Sequence, residues 1–368
     1  MTLTCLLFAE DPGAALFMRE LPAALRDAGV LPVTLALPFA APYFPAEKLI
    51  ATPDALDDAA AEALLARFNP AAVIFGTSEN PDSFAFNLVA ASRRNGVPTI
   101  AAVDSAPNAE HRFRGHGTDP LRYAPDTLLV ADSASADSYR ALGIESDRIA
   151  VCGHPRFDEI AAIRERWSED QRAQQRRRHF PGVSDDEKIV VFVSELSVGL
   201  GDNPFRRDDD YSIAGTSGSD ARSRIVGEEL LLALSHLPFP VHRVLRLHPK
   251  QNGADEADFS ALFDQVSQSE PGLELVNAAD LVVGMTSILL IEAACLGRPV
   301  LSIVPRREER QWLGDACKAI PSVSTRDAIE AFLTGGDERQ GWPVAAAPTG
   351  LGTATANMVE RILSDCRR

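Results

Sequence analysis

Between Ala279 and Ile303 the chain reads ADLVVGMTSILLIEAACLGRPVLSI, and this stretch holds the residues best spaced for chemistry. A short apolar strand (Leu281 to Val283) runs into Gly284-Met285-Thr286-Ser287. An apolar helix follows with a single carboxylate at Glu292, and a second buried strand starts at Val300. A helix that begins directly after a strand leaves its first N–H groups without acceptors, and such an end attracts anions, phosphate above all. Thr286 and Ser287 are placed to cap that end or to add hydroxyl donors. Glu292 lies in apolar surroundings, where a carboxylate is costly without a partner. A phosphate site with a carboxylate beside it suits a nucleoside diphosphate, the carboxylate accepting from ribose hydroxyls. The alternative is an ordinary buried βαβ unit in which Thr286-Ser287 is only an N-cap.

Further candidates follow other expected strands, at the end where ligands bind in open α/β sheets. His248-Pro249-Lys250 comes directly after Val241 to Leu247, and the Lys250 ammonium suits phosphate. Ser194-Glu195 ends the strand Lys188 to Val193; Ser194 offers a hydroxyl to phosphate, or Glu195 acts as a base. Arg306 and Arg307, after the strand Val300 to Val304, either reach a phosphate or, the favoured reading, sit on the surface with Glu308 and Glu309. Near the start, Glu10-Asp11-Pro12-Gly13 separates strand from helix, and Asp11 is the best-placed general base for an acceptor hydroxyl. Glu79 and Asp104 occupy comparable strand-end positions. No G-x-G-x-x-G is present, so a dinucleotide cofactor is not supported. His111 and His116 share a loop with Asp104, in a spacing that matches no zinc pattern.

The segment around Glu292 resembles the donor-site motif of GT-B-type glycosyltransferases, Gly-x-[Ser/Thr]-x4–5-Glu-Ala-x3-Gly-x-Pro. It is most similar to the surface-carbohydrate branch: CDP-glycerol glycerophosphotransferases, polysialyltransferase-like proteins and the non-hydrolysing UDP-N-acetylglucosamine 2-epimerases. Arg246-Leu247-His248-Pro249 is similar to the Arg-x-His-Pro segment of that family, which implies that His248 donates to a diphosphate or takes part in acid–base work. Gly153-His154-Pro155-Arg156-Phe157-Asp158 resembles the family's hinge before the nucleotide domain, which implies a cleft-facing His154 or Arg156. The resemblance implies a metal-independent transferase moving a sugar, or a polyol phosphate, from a nucleotide-activated donor to a hydroxyl acceptor, with the donor as substrate and no cofactor. In this reading Gly284, Thr286, Ser287, Glu292, Lys250, Ser194 and His154 bind the donor, and Asp11 and His248 are catalytic. Two other readings stay open. One is a sugar-nucleotide 2-epimerase or hydrolase, for which Glu79, Asp104 and Glu195 could be the acids and bases. The other is a non-catalytic nucleotide-sugar-binding partner protein.

Strand and helix signals alternate along nearly the whole chain, as in doubly wound α/β proteins. Strands are expected at Leu3 to Ala9, Leu31 to Leu37, Ala72 to Gly76, Pro98 to Val103, Leu128 to Ala131 and Ile149 to Cys152. Helices are expected at Phe17 to Ala28, Asp54 to Phe68, Pro81 to Asn95 and Ser133 to Leu142. A second series adds strands at Lys188 to Val193, Val241 to Leu247 and Leu273 to Val276, and helices near Ser223 to Leu237 and Glu256 to Ser269. The expected architecture is GT-B-like: two Rossmann-like domains facing a cleft. An acceptor domain covers 1–157, a connector helix 158–182 and a donor domain 183–345. A final helix within 346–368 packs back on the first domain. The polar insert Leu196 to Arg222 reads as a lid or as disorder.

The length of 368 residues suits two domains. A net charge of −16 argues against nucleic-acid binding, which needs surplus Lys and Arg. Five scattered cysteines give neither a disulfide framework nor a metal site. Met1 to Ala9 lacks a basic start and reads as a strand, not a signal peptide. No apolar run nears the roughly 18 residues of a membrane span, so membrane contact is peripheral at most. The expected setting is cytoplasmic, and a homodimer is allowed.

Overall fold

A computed structural model describes residues 3–104, 108–195, 207, 209–248, 251, 257–336, 341–345 and 352–367. The chain forms two compact units, Met1–Glu159 with Gly350–Arg368, and Ile160–Thr349.

In the first unit the chain runs through β1 (Thr4–Ala9), α1 (Pro12–Met18), α2 (Leu21–Asp27), β2 (Leu31–Ala36), α3 (Asp58–Phe68) and β3 (Ala72–Gly76). It continues as α4 (Phe84–Asn95), β4 (Thr99–Val103), β5 (Thr127–Val130), α5 (Ser133–Ala141) and β6 (Ile149–Val151), then enters α6 (Pro155–Arg166). These strands pair in parallel in the order β2-β1-β3-β4-β5-β6. Their continuous apolar runs follow from burial on both faces. Leu6 and Phe8 enter one core layer while Cys5, Leu7 and Ala9 enter the other. The helix expected over Phe17 to Ala28 is two helices. Pro12 opens the first and Pro22 sits at the start of the second, positions where the missing N–H is harmless.

The second unit begins within α6 and holds α7 (Glu169–His179), β7 (Lys188–Val193), α8 (Arg222–Leu234), β8 (Val241–Arg246), α9 (Ala257–Ser260) and β9 (Gln265–Ser267). After these come α10 (Gly272–Ala278), β10 (Leu281–Gly284), α11 (Ile288–Cys295), β11 (Val300–Ile303), β12 (Ser322–Val323) and α12 (Arg326–Thr334). Its parallel order is β12-β11-β10-β7-β8-β9, so the winding reverses between β7 and β10. The region before β10 differs from expectation. The helix placed at Glu256 to Ser269 is one short turn and a three-residue strand, and the strand placed at Leu273 to Val276 is helix α10. A four-residue apolar run carries no period that separates the two states. The polar 158–182 segment likewise contains two helices, broken before Ser168, which caps α7 in a capping box.

Helix α13 (Ala354–Asp365) belongs to the first unit, where Met358 and Ile362 complete a core layer. Asp158 accepts from Gly352 N at 2.8 Å and Thr355 N at 3.1 Å, fixing the start of that helix. Two doubly wound α/β units with the last helix packed on the first make this a GT-B-like fold. Among the described residues no helix is long and apolar enough to cross a membrane.

Candidate functional site

In the second unit the strand-end residues meet where the winding reverses, the position at which open α/β sheets bind ligands. Glu195, just past β7, reaches the turn after β10. Its carboxylate accepts from Thr286 N at 2.6 Å and from Thr286 Oγ1 at 3.0 Å. Glu195 N donates to Ser223 Oγ, and Ser223 Oγ lies 2.9 Å from Ser194 Oγ. Gln251 continues the chain of contacts: its Nε2 donates to Ser194 Oγ at 3.0 Å and its Oε1 accepts from His248 N at 2.6 Å. Side chains from the ends of β7, β8 and β10 are thus tied into one hydrogen-bonded group.

Several expected roles change in this geometry. Thr286 gives both its amide and its hydroxyl to Glu195, which fills the place expected for a phosphate. Glu195 accepts from Arg222 as well as from Thr286. Ser194 is 2 % exposed and its hydroxyl serves the interior. Ser287 is the N-cap of α11, its Oγ accepting from Leu289 N. Leu290 N goes to Ser287 O, so the amides of Ser287 and Ile288 are the ones without an intrahelical acceptor. Gly284 ends β10 with ordinary space around it. Glu292 is buried in α11 as expected. Lys250 lies outside the described residues.

Behind this group sits an ionic chain that the sequence reading missed. Arg222 is 1 % exposed and donates to Glu195 at 2.9 Å and, through two nitrogens, to Glu309 Oε2 at 2.9 and 2.7 Å. Glu309 also accepts from Arg306, which pairs with Asp210 and lies over the Tyr211 ring. Glu309, expected on the surface, is therefore buried, and Arg306 is half-buried against it. The described part of the 196–222 insert is pinned as well. Glu228 accepts from the amides of Thr216 and Ser217, and Glu229 from Gly215 N. Burial pushes the Glu228 carboxyl up, but hydrogen bonds from Ser217, Thr216 and Arg224 outweigh it and hold the group at about 2.

The first unit gathers its own strand-end groups. Glu10 follows β1 and accepts from the Ser78 hydroxyl beyond β3, the pair at which this sheet reverses. Burial raises the Glu10 carboxyl above its usual range, against hydrogen bonds from Ser78 and Ser83. Asp11, expected as the base, is instead the exposed N-cap of α1, accepting from Gly13 N at 2.8 Å. Arg112 is buried and donates to Thr77 Oγ1 at 2.8 Å and Asp104 Oδ1 at 3.0 Å, with Glu79 at 4.0 Å. A Cβ on Gly13 would lie 2.5 Å from Asp104 Oδ2, so only glycine lets α1 approach that carboxylate. His111 pairs with Glu110 and His116 with Asp82, away from each other's partners.

His154 is buried, not facing an opening. Its ring packs at 4.9 Å against Phe17 and against Phe157, and Nδ1 accepts from Arg156 N. Burial lowers its pKa from 6.5 to about 4. The unfolded chain therefore binds the extra proton between those values, and about 3 kcal/mol of stability is lost as pH falls from 6.5 toward 4. Above 6.5 that contribution is fully present. Urea midpoints at pH 7 and pH 4.5 should differ more in the native chain than in His154→Phe; equal differences would show that another group titrates.

Arg112, Arg222, Glu309, Gln251 and Glu10 carry most of this geometry. Only Glu10 had a local signal, its place beside Asp11 at the end of β1.

No protein-family model matches the sequence, and no curated protein matches it in sequence. Solved structures do match in fold. UDP-GlcNAc 2-epimerase from Neisseria meningitidis, bound to UDP-GlcNAc, is 16% identical with a TM-score of 0.62 over 98% of this chain and 100% of that one. HepE from Anabaena, in complex with UDP-glucose, is 13% identical with a TM-score of 0.59 over 99% and 97%. MurG from Acinetobacter baumannii is 14% identical with a TM-score of 0.56 over 98% and 99%. The chain shares its two-unit α/β fold, along nearly its whole length, with GT-B-type proteins and UDP-GlcNAc 2-epimerases.

Proposed function

We propose that this chain is an enzyme acting on a nucleotide-activated sugar, and that it transfers the sugar to a hydroxyl acceptor. The observation that carries the reading is the hydrogen-bonded group from Thr286 through Glu195 and Ser194 to His248, set at the reversal point of the second sheet. Similar folds that hold UDP-GlcNAc or UDP-glucose support it. Ser287 and the first amides of α11 take the diphosphate, with His248 adding a donor and Lys250, two residues on in the sequence, a positive charge. Glu292 takes the ribose hydroxyls. Stabilising charge on the leaving diphosphate is the main catalytic term, and these groups suffice without a metal. In the first unit Glu10 is a better base than Asp11, because its raised pKa brings proton uptake closer to neutral pH.

A second reading, 2-epimerisation or hydrolysis of the donor alone, is favoured by one observation. Arg112 holds Asp104 beside Gly13 and has Glu79 within 4.0 Å, so more than one strand-end carboxylate is available as acid or base. The test is thermal melting with UDP, GDP, CDP, CMP and TDP compounds, followed by product analysis with the stabilising sugar nucleotide alone. A sugar released or inverted at C2 without acceptor establishes the second reading. Turnover that waits for a hydroxyl acceptor establishes transfer. Absence of any stabilisation overturns both.

A further inference from the structure

We propose that Cys5 and Cys366 are a reversible oxidation site, at which a hydroperoxide converts the two thiols to a disulfide that locks α13 onto the sheet of the first unit. The two sulfurs lie 3.7 Å apart although 361 residues separate them in sequence. Both residues belong to the first unit, and both pack in the core layer that Met358 and Ile362 of α13 complete. Cys5 lies on β1, and Cys366 is the C-cap of α13.

Two small side chains in plain packing contact would also touch. Three observations favour chemistry. The first is access: Cys5, Cys152 and Cys295 are buried, whereas Cys366 is half-buried, so an oxidant as small as a peroxide can reach its sulfur. The second is acid strength, because the thiolate is the form that reacts. A hydrogen bond from Cys5 holds the Cys366 thiol below its usual range, while that bond and burial push the Cys5 thiol up. Cys366 is thus the attacking thiol and Cys5 the resolving one. The third is freedom to adjust. The sulfurs must close by less than about 2 Å to bond. Cys5 is fixed in a strand paired on both sides, opposite Pro32 and Ala72. Cys366 follows the last residue of α13, and helix ends fray, so the movement falls there.

The Cys366 thiolate attacks one oxygen of the hydroperoxide and breaks the O–O bond. Its sulfur becomes a sulfenic acid, and the other oxygen leaves with the proton that Cys366 gave up on ionising. The Cys5 sulfur then attacks the Cys366 sulfur; the S–S bond forms, the S–O bond breaks, and water leaves with the Cys5 proton. The two thiols lose two electrons, which the hydroperoxide takes up. A dithiol reductant reverses the step by exchange. At the other end of α13, Asp158 accepts from Gly352 N and Thr355 N, so the oxidised helix is held at both ends. Reduced, it keeps only packing and polar contacts and can open locally.

The test adds hydrogen peroxide to the native full chain, blocks free thiols with N-ethylmaleimide and maps the peptides by mass spectrometry. The expected product links Cys5 to Cys366, leaves three of the five cysteines alkylated and retains no oxygen. It should melt about 5–10 °C above the reduced chain, and dithiothreitol should restore the lower value. Cys366→Ser should show neither the link nor the shift. Oxygen retained on Cys366 with Cys5 still alkylated overturns the site, as does a link that forms as readily in the urea-unfolded chain. A link that leaves the melting temperature unchanged overturns the locking of α13. No sugar nucleotide enters the experiment, so its failure is separate from failure of the proposed activity.

Discussion

Arg222→Ala should destabilise the second unit by about 3–5 kcal/mol and lower its melting temperature by about 10 °C. Two carboxylates, Glu195 and Glu309, converge on this one guanidinium, and Glu309 is itself 1 % exposed. Removing the cation leaves like charges facing each other in an interior that can neither hydrate nor neutralise them cheaply. The same substitution frees Glu195 on one side, so the turn at Thr286 loses part of its support. Arg222→Lys should recover little, because one ammonium cannot reproduce the donors that reach both acids. Glu309→Gln in the Arg222→Ala background should restore stability by removing one buried charge. Calorimetric unfolding of the three variants checks this. A loss below about 1 kcal/mol for Arg222→Ala would mean that water reaches the pair and screens it. Trp312, whose ring lies 5.4 Å from the guanidinium carbon, gives a fluorescence signal for the same event.

The architecture was legible because buried parallel strands announce themselves as unbroken apolar runs. All but one of the expected strands lie within two residues of those observed, from Thr4–Ala9 to Val300–Ile303. The exception is Leu273 to Val276, where the run is too short to show a period and Pro271-Gly272 starts a helix. The β10–α11 turn was legible for a related reason, since a strand, a cap residue and an apolar helix follow one another without a gap. The partners behind that turn were not. Arg222 and Glu309 meet across 87 residues, and Arg112 meets Thr77 across 35. Local pattern carries no trace of such pairings, so charged residues of this kind read as surface. Asp11 and Glu10 show the finer limit. Adjacent carboxylates at a strand end look equivalent in sequence, yet one caps a helix in solvent while the other turns inward to Ser78.

Glu292→Gln should weaken binding of a nucleoside diphosphate about 10- to 150-fold while leaving inorganic pyrophosphate within about twofold. The prediction rests on the proposed division of labour in the β10–α11 site. Glu292 stands four residues after Ile288, so the two share a face of α11. Ile288 is 43 % exposed and Glu292 is 7 % exposed, so burial increases along that face from the start of the helix toward the carboxylate-bearing residue. Leu290, Ile291, Ala293 and Ala294 pack into the interior around it. A carboxylate there can accept from both hydroxyls of a ribose, and hydrogen bonds to a charged acceptor contribute about 1.5–3 kcal/mol, which is the fold-change expected. The amide keeps the volume but brings two donors and one weaker acceptor. At a ligand concentration 100 times the native Kd, stabilisation of about 2.7 kcal/mol would fall to about 0.4 kcal/mol after a 100-fold loss, a difference that thermal melting resolves. Pyrophosphate has no ribose, so its binding reports the Ser287 end alone. Loss of both ligands would show that Glu292 shapes the helix start, and loss of neither would make it a buried structural acid. Only the selective loss assigns it to the nucleoside.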